Sequence, residues 1–213
     1  MPRPRPVAIT LDHLDEPTRR LVRVAAVLAG GTEDDIRQEL QPAAGDTPRE
    51  WIEEVLLQTY LFAGFPRALN GMREWRRIVQ VPASADVVGA SRDRLVAIGE
   101  ATCASVYGSM YERLRGNIRH LHPLLDEWMI VEGYGKVLSR EQLDLPRREL
   151  CIVAACAATG QDRQLQSHLH GARNVGVGNG AITDALTALR DRIHEHLHAR
   201  ATRLWDRIRH DIH

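Results

Sequence analysis

Residues 143–172 read LDLPRRELCIVAACAATGQDRQLQSHLHGA, and this stretch has the signals of a helical hairpin. Asp144 stands where a helix cap is expected, Pro146 suits a first helical turn, and an apolar run follows as far as Thr159. Gly160 marks a turn, after which a second amphipathic helix runs back. The stretch therefore predicts two antiparallel helices joined by a short connection.

The same pattern occurs earlier in the chain. Residues 14–43 (LDEPTRRLVRVAAVLAGGTEDDIRQELQPA) align with residues 143–172 at a constant offset of 129 positions, and 12 of the 30 positions are identical. Proline and glycine are among the matches, and both residue types have specific conformational roles. We interpret the chain as two tandem repeats. The predicted parts are an N-terminal tail (1–11), a degenerate first repeat (12–80), a linker (81–91), and a second repeat with the candidate site and a long C-terminal helix (92–213).

The rest of the sequence also predicts helices, because alternating runs typical of strands are missing. Thr47 is expected to cap a helix over residues 48–62, and Gly64 and Pro66 are expected to end it and begin another, up to about residue 78. Ser91 is expected to open a helix that extends to about residue 107. The predicted fold class is all-α.

Two further expectations concern the second half of the chain. Gly133 and Gly135 are expected to interrupt the helical pattern. Apolar residues recur at steps of three and four from Ile182 to Ile208, which predicts one long amphipathic helix docked on the body or on a neighbouring subunit.

The composition excludes several classes of protein. The chain has 213 residues, 44% of them hydrophobic, with 28 basic and 28 acidic side chains. Without a net charge, no long-range field draws the chain to nucleic acid or to an anionic membrane, and we expect neither partner. The longest apolar stretch, residues 150–158, is too short to cross a bilayer. We expect a cytoplasmic protein without a signal peptide.

Neither the cysteines nor the histidines form a recognisable metal or redox motif. The cysteines lack metal-ligand or Cys-x-x-Cys spacing and are expected to be small buried apolar side chains. The histidine cluster near the C-terminus lacks a third ligand at a suitable spacing. The sequence therefore predicts no metal and no cofactor. The residues concerned are Cys103, Cys151 and Cys156, and His194, His196 and His198.

The second hairpin carries a carboxylate and an imidazole at matching heights. Glu149 lies 11 residues before Gly160 and His168 lies 8 residues after it, which places them about 16 and 12 Å from the turn. Both share a stripe with apolar residues, so both should face inward, where they need a partner. We expect either an acid–base couple or a satisfied buried pair without a catalytic role.

The equivalent positions of the first hairpin carry Arg20 and Glu39. An arginine does not exchange its proton near neutral pH. We therefore predict that Arg20 and Glu39 form a structural ion pair, and that only the second hairpin keeps groups able to exchange protons.

Several stretches resemble the carboxymuconolactone decarboxylase family and its AhpD-like relatives. Residues 145–155 (LPRRELCIVAA), together with Gln164, His168, Ala172 and Gly176, look like the core of that family. Residues 133–140 (GYGKVLSR) resemble the segment that leads into this core, and residues 54–70 (EVLLQTYLFAGFPRALN) are similar to the helix pair that follows it. The resemblance implies an all-α AhpD-like fold, oligomers with threefold symmetry, and enzymes that decarboxylate a lactone or reduce peroxides.

The residues favour the lactone branch of that family. The peroxide-reducing branch has a Cys-x-x-Cys pair before the histidine, and Gln161 and Gln164 occupy those positions here. Peroxide reduction of that type needs a reactive thiolate and a resolving thiol. For the lactone branch, the resemblance implies that His168 acts as the acid and that Glu149 is its partner.

The same resemblance implies roles for two further residues. Tyr134 is a candidate donor to a developing oxyanion, and Arg140 is a candidate clamp for a substrate carboxylate. The expected partners are a small-molecule substrate and other copies of the chain, as a homotrimer. Two alternatives remain open: a non-catalytic scaffold or small-ligand binder, and a peroxidase that uses atypical cysteines.

Overall fold

The computed structural model describes residues 10–82 and 89–210, and nearly all regular structure in these ranges is helical. A 3-10 turn at Gly108–Met110 connects the fourth and fifth helices, and a single parallel bridge joins Leu11 to Val177. The all-α prediction is confirmed. The helices are α1 (Glu16–Gly30), α2 (Glu33–Asp46), α3 (Arg49–Val79), α4 (Arg92–Tyr107), α5 (Tyr111–Leu121), α6 (Pro123–Trp128), a π-helix (Met129–Leu138), α7 (Leu145–Thr159), α8 (Asp162–Asn174), α9 (Asn179–Ala188) and α10 (Glu195–His210).

Helices α1 and α7 form the centre of the core and lie side by side, parallel to each other. At their N-terminal ends the Arg147 Nε donates to the Thr18 Oγ1 at 2.8 Å. At their C-terminal ends a Cβ added to Gly30 would lie 2.9 Å from the carbonyl oxygen of Ala158. Nearly the whole of α7 is buried, since α1, α3 and α8 all pack against it.

Both hairpins predicted from the sequence are present. Asp15 and Asp144 cap α1 and α7, each accepting a hydrogen bond from a backbone N–H three residues on. In both hairpins the second helix starts 17 residues after the first. Gly160 ends α7 at φ +67°, a conformation that glycine adopts without strain. The duplication and the domain boundaries at 12–80 and 92–213 stay predictions, and the tail (1–9), the linker centre (83–88) and residues 211–213 lie outside the described ranges.

Helix α3 differs in detail from the sequence expectation. It begins at Arg49, as predicted, but the cap proposed for Thr47 is wrong: its hydroxyl donates to the Asp46 carboxylate at 2.9 Å, and α3 has no side-chain cap. The predicted break is present at Gly64, where φ is +83° and the helix kinks before continuing to Val79. Ser91 caps α4 as predicted, and α4 ends at Tyr107.

Two predictions for the second half are wrong. The apolar residues from Ile182 to Ile208 do not form one helix, because a turn over residues 189–194 separates α9 from α10. The apolar period continues through this turn because Leu189 is buried within it. Gly133 and Gly135 do not interrupt the helical pattern either, since both lie within the π-helix.

The π-helix packs very closely against α4. A Cβ added to Gly99 would lie 2.2 Å from the carbonyl oxygen of Ile130, and one added to Gly135 would lie 2.2 Å from that of Leu95. Glycine is therefore required on both surfaces for the two backbones to approach. The π-helix holds Tyr134 in the interior, with 4% of its surface exposed.

In the described ranges, every helix is either too short or too polar to span a lipid bilayer.

Candidate acid–base site

Glu149 and His168 meet inside the second hairpin. The His168 Nδ1 and the Glu149 Oε2 are 2.8 Å apart. Both residues are buried, with exposed fractions of 0% for Glu149 and 5% for His168. A buried carboxylate at this distance from an imidazole nitrogen fixes the orientation of the ring and can accept its Nδ1 proton. The predicted juxtaposition is therefore present.

One oxygen of the carboxylate has no hydrogen-bond partner. Glu149 Oε1 is buried and lacks a partner among the described residues. A buried carboxylate oxygen without a partner is costly, so Oε1 is available to accept a hydrogen bond from a ligand. The space around the other oxygen is tight, because a Cβ added to Gly171 would lie 2.8 Å from Oε2.

Aromatic rings cover the imidazole on two sides. The Phe62 ring lies edge-on to the His168 ring with centroids 5.8 Å apart, and Tyr107 lies similarly at 6.4 Å. Phe62 comes from α3 and Tyr107 from the last turn of α4. The pair is thus enclosed by elements from both halves of the chain.

Tyr134 joins this cluster through Tyr107. The two phenol rings are edge to face, with centroids 6.3 Å apart. Burial raises the pKa of both tyrosines well above the ordinary value, and the negative charge of Glu149 raises both further. Both hydroxyls therefore stay protonated at neutral pH and can donate hydrogen bonds.

Arg140 lies elsewhere: it is exposed and pairs with a carboxylate that is buried. Its guanidinium contacts both oxygens of Glu54 at 2.8–2.9 Å. Glu54 also accepts from Arg148 at 2.7 Å, and Arg148 is fully buried. Glu54 lies about two turns along α3 from Phe62, so the charge of Arg140 is already compensated at some distance from His168. This pairing does not favour the predicted carboxylate clamp.

The ion pair predicted between Arg20 and Glu39 is wrong. Arg20 instead contacts Asp46 at 3.1 Å, and Glu39 contacts Arg23 at 2.9 Å and also pairs with Arg192. Arg23 lies about one helical turn beyond Arg20 and presents its guanidinium to Glu39 through two hydrogen bonds. Glu39 is thus still a structural ion-pair residue, but with other partners.

The thiols are poorly suited to redox chemistry. All three cysteines are free and buried. Burial raises the pKa of each thiol to about 12, and the charge of Glu149 contributes for two of them, Cys103 and Cys156. Fully protonated thiols are weak nucleophiles at neutral pH.

The C-terminal histidines are not arranged as a metal site. The His194 and His196 rings are adjacent, with Nδ1 atoms 3.3 Å apart, whereas His198 Nε2 is 3.0 Å from the carbonyl oxygen of Leu186. Within residues 10–82 and 89–210, no group of three or more potential ligands is placed to hold a metal ion.

Sequence reasoning missed Phe62 and Tyr107. Both lie far from His168 in the sequence, and their contacts depend on how α3 packs on α7 and α4 packs on α8. Gly108, next to Tyr107, indicates a turn in the sequence and has φ +53° in the structure, but it does not indicate a contact with His168.

Comparisons with known proteins agree with the fold and with the resemblance described above. The model described as "Carboxymuconolactone decarboxylase family" matches residues 127–193, which include the π-helix, α7, α8 and α9. Peroxisomal protein 2 of Schizosaccharomyces pombe is 27% identical over 183 residues, covering 80% of this chain and 83% of the relative. Peroxisomal protein 2 of Saccharomyces cerevisiae is 26% identical over 151 residues, covering 58% and 53%. The matched segment is about a third of the chain and resembles that family, and Glu149 and His168 both lie within it.

Proposed function

We propose that the chain is an enzyme that uses Glu149 and His168 as an acid–base couple on a small carboxylated lactone or a related metabolite. The observation that carries the proposal is the 2.8 Å contact between a buried carboxylate and a buried imidazole inside the segment that the family model matches. A carboxylate that orients an imidazole is a recurring arrangement in general acid–base catalysis.

The geometry supports different roles for Glu149 and His168. Glu149 accepts a hydrogen bond from the Nδ1–H of His168 and orients the ring, while the imidazolium delivers its Nε2 proton to the substrate and becomes neutral imidazole. In a decarboxylation, the bond between the substrate carbon and its carboxylate breaks, CO₂ leaves, and the electron pair remains as an enolate-like anion. A hydroxyl donor stabilises this anion until His168 protonates the carbon. Tyr134, and Tyr107 beside it, are the proposed donors.

Substrate entry requires the aromatic cover to move. A cleft lined by Phe62, Thr59 and Cys151 has a volume of about 10 Å³, which is room for about one water molecule. We propose that displacement of the partly buried Phe62 or Tyr107 side chain opens the space next to His168.

The test compares matched carboxamide variants in the two hairpins. Glu149→Gln and His168→Gln are each expected to lower turnover of an accepted lactone or unsaturated diacid at least about 100-fold per folded molecule. Substrates are first selected by thermal shift, because a ligand that binds the native state stabilises it.

Glu39→Gln is the control, since Glu39 is a buried carboxylate at the position equivalent to His168 and pairs with arginines. It is expected to lower stability and to leave turnover unchanged. If Glu149→Gln retains full turnover, the acid–base assignment is wrong.

The second candidate function is a non-catalytic binder or scaffold. The scaffold form of this alternative is favoured because Glu149 and His168 are packed in the interior and neither lines the cleft beside Phe62, whereas both an enzyme and a binder need a cavity. Under this alternative, compounds that shift the melting temperature are not turned over, and His168→Gln changes their affinity without revealing a reaction.

A peroxidase is the third candidate, and the raised thiol pKa values speak against it. We expect no hydroperoxide turnover even with a dithiol reductant. Peroxidase activity that Cys156→Ser abolishes would reverse this ranking.

Two further proposals concern assembly and location. We propose a homotrimer on the strength of the family resemblance; self-association would also cover some of the large apolar side chains that are exposed, among them Phe65, Leu69, Leu121 and Trp128. A monomeric mass in solution would contradict it. The cytoplasmic location stays a prediction, since the two relatives carry the name Peroxisomal protein 2.

A further inference from the structure

A groove lined by arginines lies between α8 and α10, on the outer surface of the second hairpin. Its volume is about 290 Å³, and it is open to solvent on one side. Polar side chains line most of it: Asp162, Arg163, Gln166, Arg200, Arg203 and Arg207. Four arginines and one aspartate give the groove an excess of three positive charges.

The arginines face one another across the groove. Arg200, Arg203 and Arg207 follow the i, i+3, i+7 spacing of a single helix face, which spreads them over about 10 Å along α10. Arg163 comes from the first turn of α8 on the opposite wall. A ligand in the groove can thus be held from two sides.

Little of this charge is neutralised by the chain itself. Arg200 contacts Asp162 at 2.5 Å. Within the described parts of the chain, no ion pair involves Arg163, Arg203 or Arg207. Elsewhere in the fold, by contrast, arginines pair with buried carboxylates. Like charges three and four residues apart on a helix destabilise it, so a bound anion would relieve this repulsion.

The N-terminus of α8 adds to the positive potential. Gln161, the residue before α8, provides no side-chain hydrogen bond to the first turn. The first backbone N–H groups of a 13-residue helix therefore remain available as donors beside Asp162 and Arg163.

We propose that this groove is a binding site for a small ligand that carries a diphosphate group. Guanidinium groups bind phosphate oxygens through paired hydrogen bonds, and several arginines on two walls suit an extended polyanion better than a single carboxylate. The volume fits a group of diphosphate size, whereas most drug-sized ligands need more space. The site is separate from the acid–base couple, because Arg163 and Gln166 lie exposed on α8 while His168 on the same helix is buried.

Calorimetric titration with inorganic pyrophosphate tests the proposal on the full-length protein. The titration is performed at low ionic strength, because salt screens exposed charges. We expect one site per chain. The double variant Arg203→Gln/Arg207→Gln is expected to weaken binding at least about tenfold, because two charge-assisted contacts are lost. Arg163→Gln, on the other wall, is expected to weaken it independently.

The control is Arg73→Gln/Arg113→Gln, which removes two exposed helical arginines outside the groove. All five substituted positions lie on exposed helix surfaces, and circular dichroism verifies that each variant is folded. Absence of a heat signal with the wild-type chain, or equal weakening in the groove and control variants, would overturn the proposal. Binding of an acidic peptide or anionic vesicles without binding of pyrophosphate would overturn it as well.

Discussion

Substitution of Glu54 by glutamine is expected to destabilise the fold strongly, because it removes the charge that holds two arginines. Glu54 has 3% of its surface exposed. It accepts from Arg148 at 2.7 Å and contacts Arg140 at 2.8 Å. Arg148 is fully buried, and burial lowers its pKa while Glu54 opposes that effect. Without the carboxylate, a guanidinium would remain buried without a counter-charge.

The magnitude follows from the contacts that survive. Removal of one partner of a buried ion pair costs about 3–5 kcal/mol. Arg148 keeps hydrogen bonds to the carbonyl oxygens of Leu143 and Arg140, at 3.1 and 2.9 Å. These contacts place the expected cost of Glu54→Gln at the lower end, about 3 kcal/mol. That is a large part of the 5–15 kcal/mol typical of a folded domain.

Urea denaturation followed by circular dichroism at pH 7 measures this change. Glu50→Gln is the control, because Glu50 is an exposed acid in the first turn of the same helix, and it should cost less than about 1 kcal/mol. Adding Arg148→Met to Glu54→Gln is expected to recover part of the loss, because the unpaired buried charge disappears. If Glu54→Gln and Glu50→Gln have the same midpoint, the buried cluster does not stabilise the fold as argued.

Three further expectations follow from other parts of the structure. Gly99→Ala is expected to cost about 3 kcal/mol, because its Cβ would lie 2.2 Å from a carbonyl oxygen of the π-helix; Gly116→Ala, on an open helix surface, should stabilise slightly in the same thermal melt. A hydrogen bond from Arg76 lowers the pKa of Glu53 to about 2 from 4.5, so Glu53→Gln should cost about 1 kcal/mol at pH 7 after solvent screening. The difference in free energy of unfolding between wild type and Glu53→Gln should shrink as the pH falls from 4.5 towards 2, because Glu53 becomes protonated in the folded protein over this range. A difference in urea midpoints that stays constant with pH would contradict the assignment. With thiol pKa values near 12, the native cysteines should not react with a disulfide reagent at pH 8 but should all react after unfolding; one fast-reacting native thiol would refute this.

The contact between Glu149 and His168 could be predicted because local rules determine it. Both residues flank one glycine turn, and their heights follow from the rise of a helix. The same arithmetic failed for Arg20 and Glu39. Arginine side chains are long, and Arg23, about one helical turn from Arg20, forms a bidentate hydrogen bond with Glu39 instead. The height of a residue along its helix predicts the contacts of short side chains better than those of long ones.

The remaining parts of the site and fold depend on long-range packing. Nothing in the neighbourhood of Phe62 or Tyr107 in the sequence links either residue to His168. The turn between α9 and α10 could not be recognised in the sequence for another reason. Leu189 is buried within the turn, so the apolar spacing of the helices continues through a segment that is not helical. Periodicity reports burial, and burial alone does not distinguish a helix from a well-packed turn.

The parallel arrangement of α1 and α7 bears on how such a protein can change over evolutionary time. If two identical subunits paired through this surface, any substitution would appear on both sides at once, and a residue that harmed either side would be lost. Joined in one polypeptide, the two sides vary separately: position 20 holds arginine where position 149 holds glutamate. One hairpin can thus specialise in structural ion pairs while the other keeps a carboxylate beside an imidazole, and the two hairpins cannot dissociate on dilution.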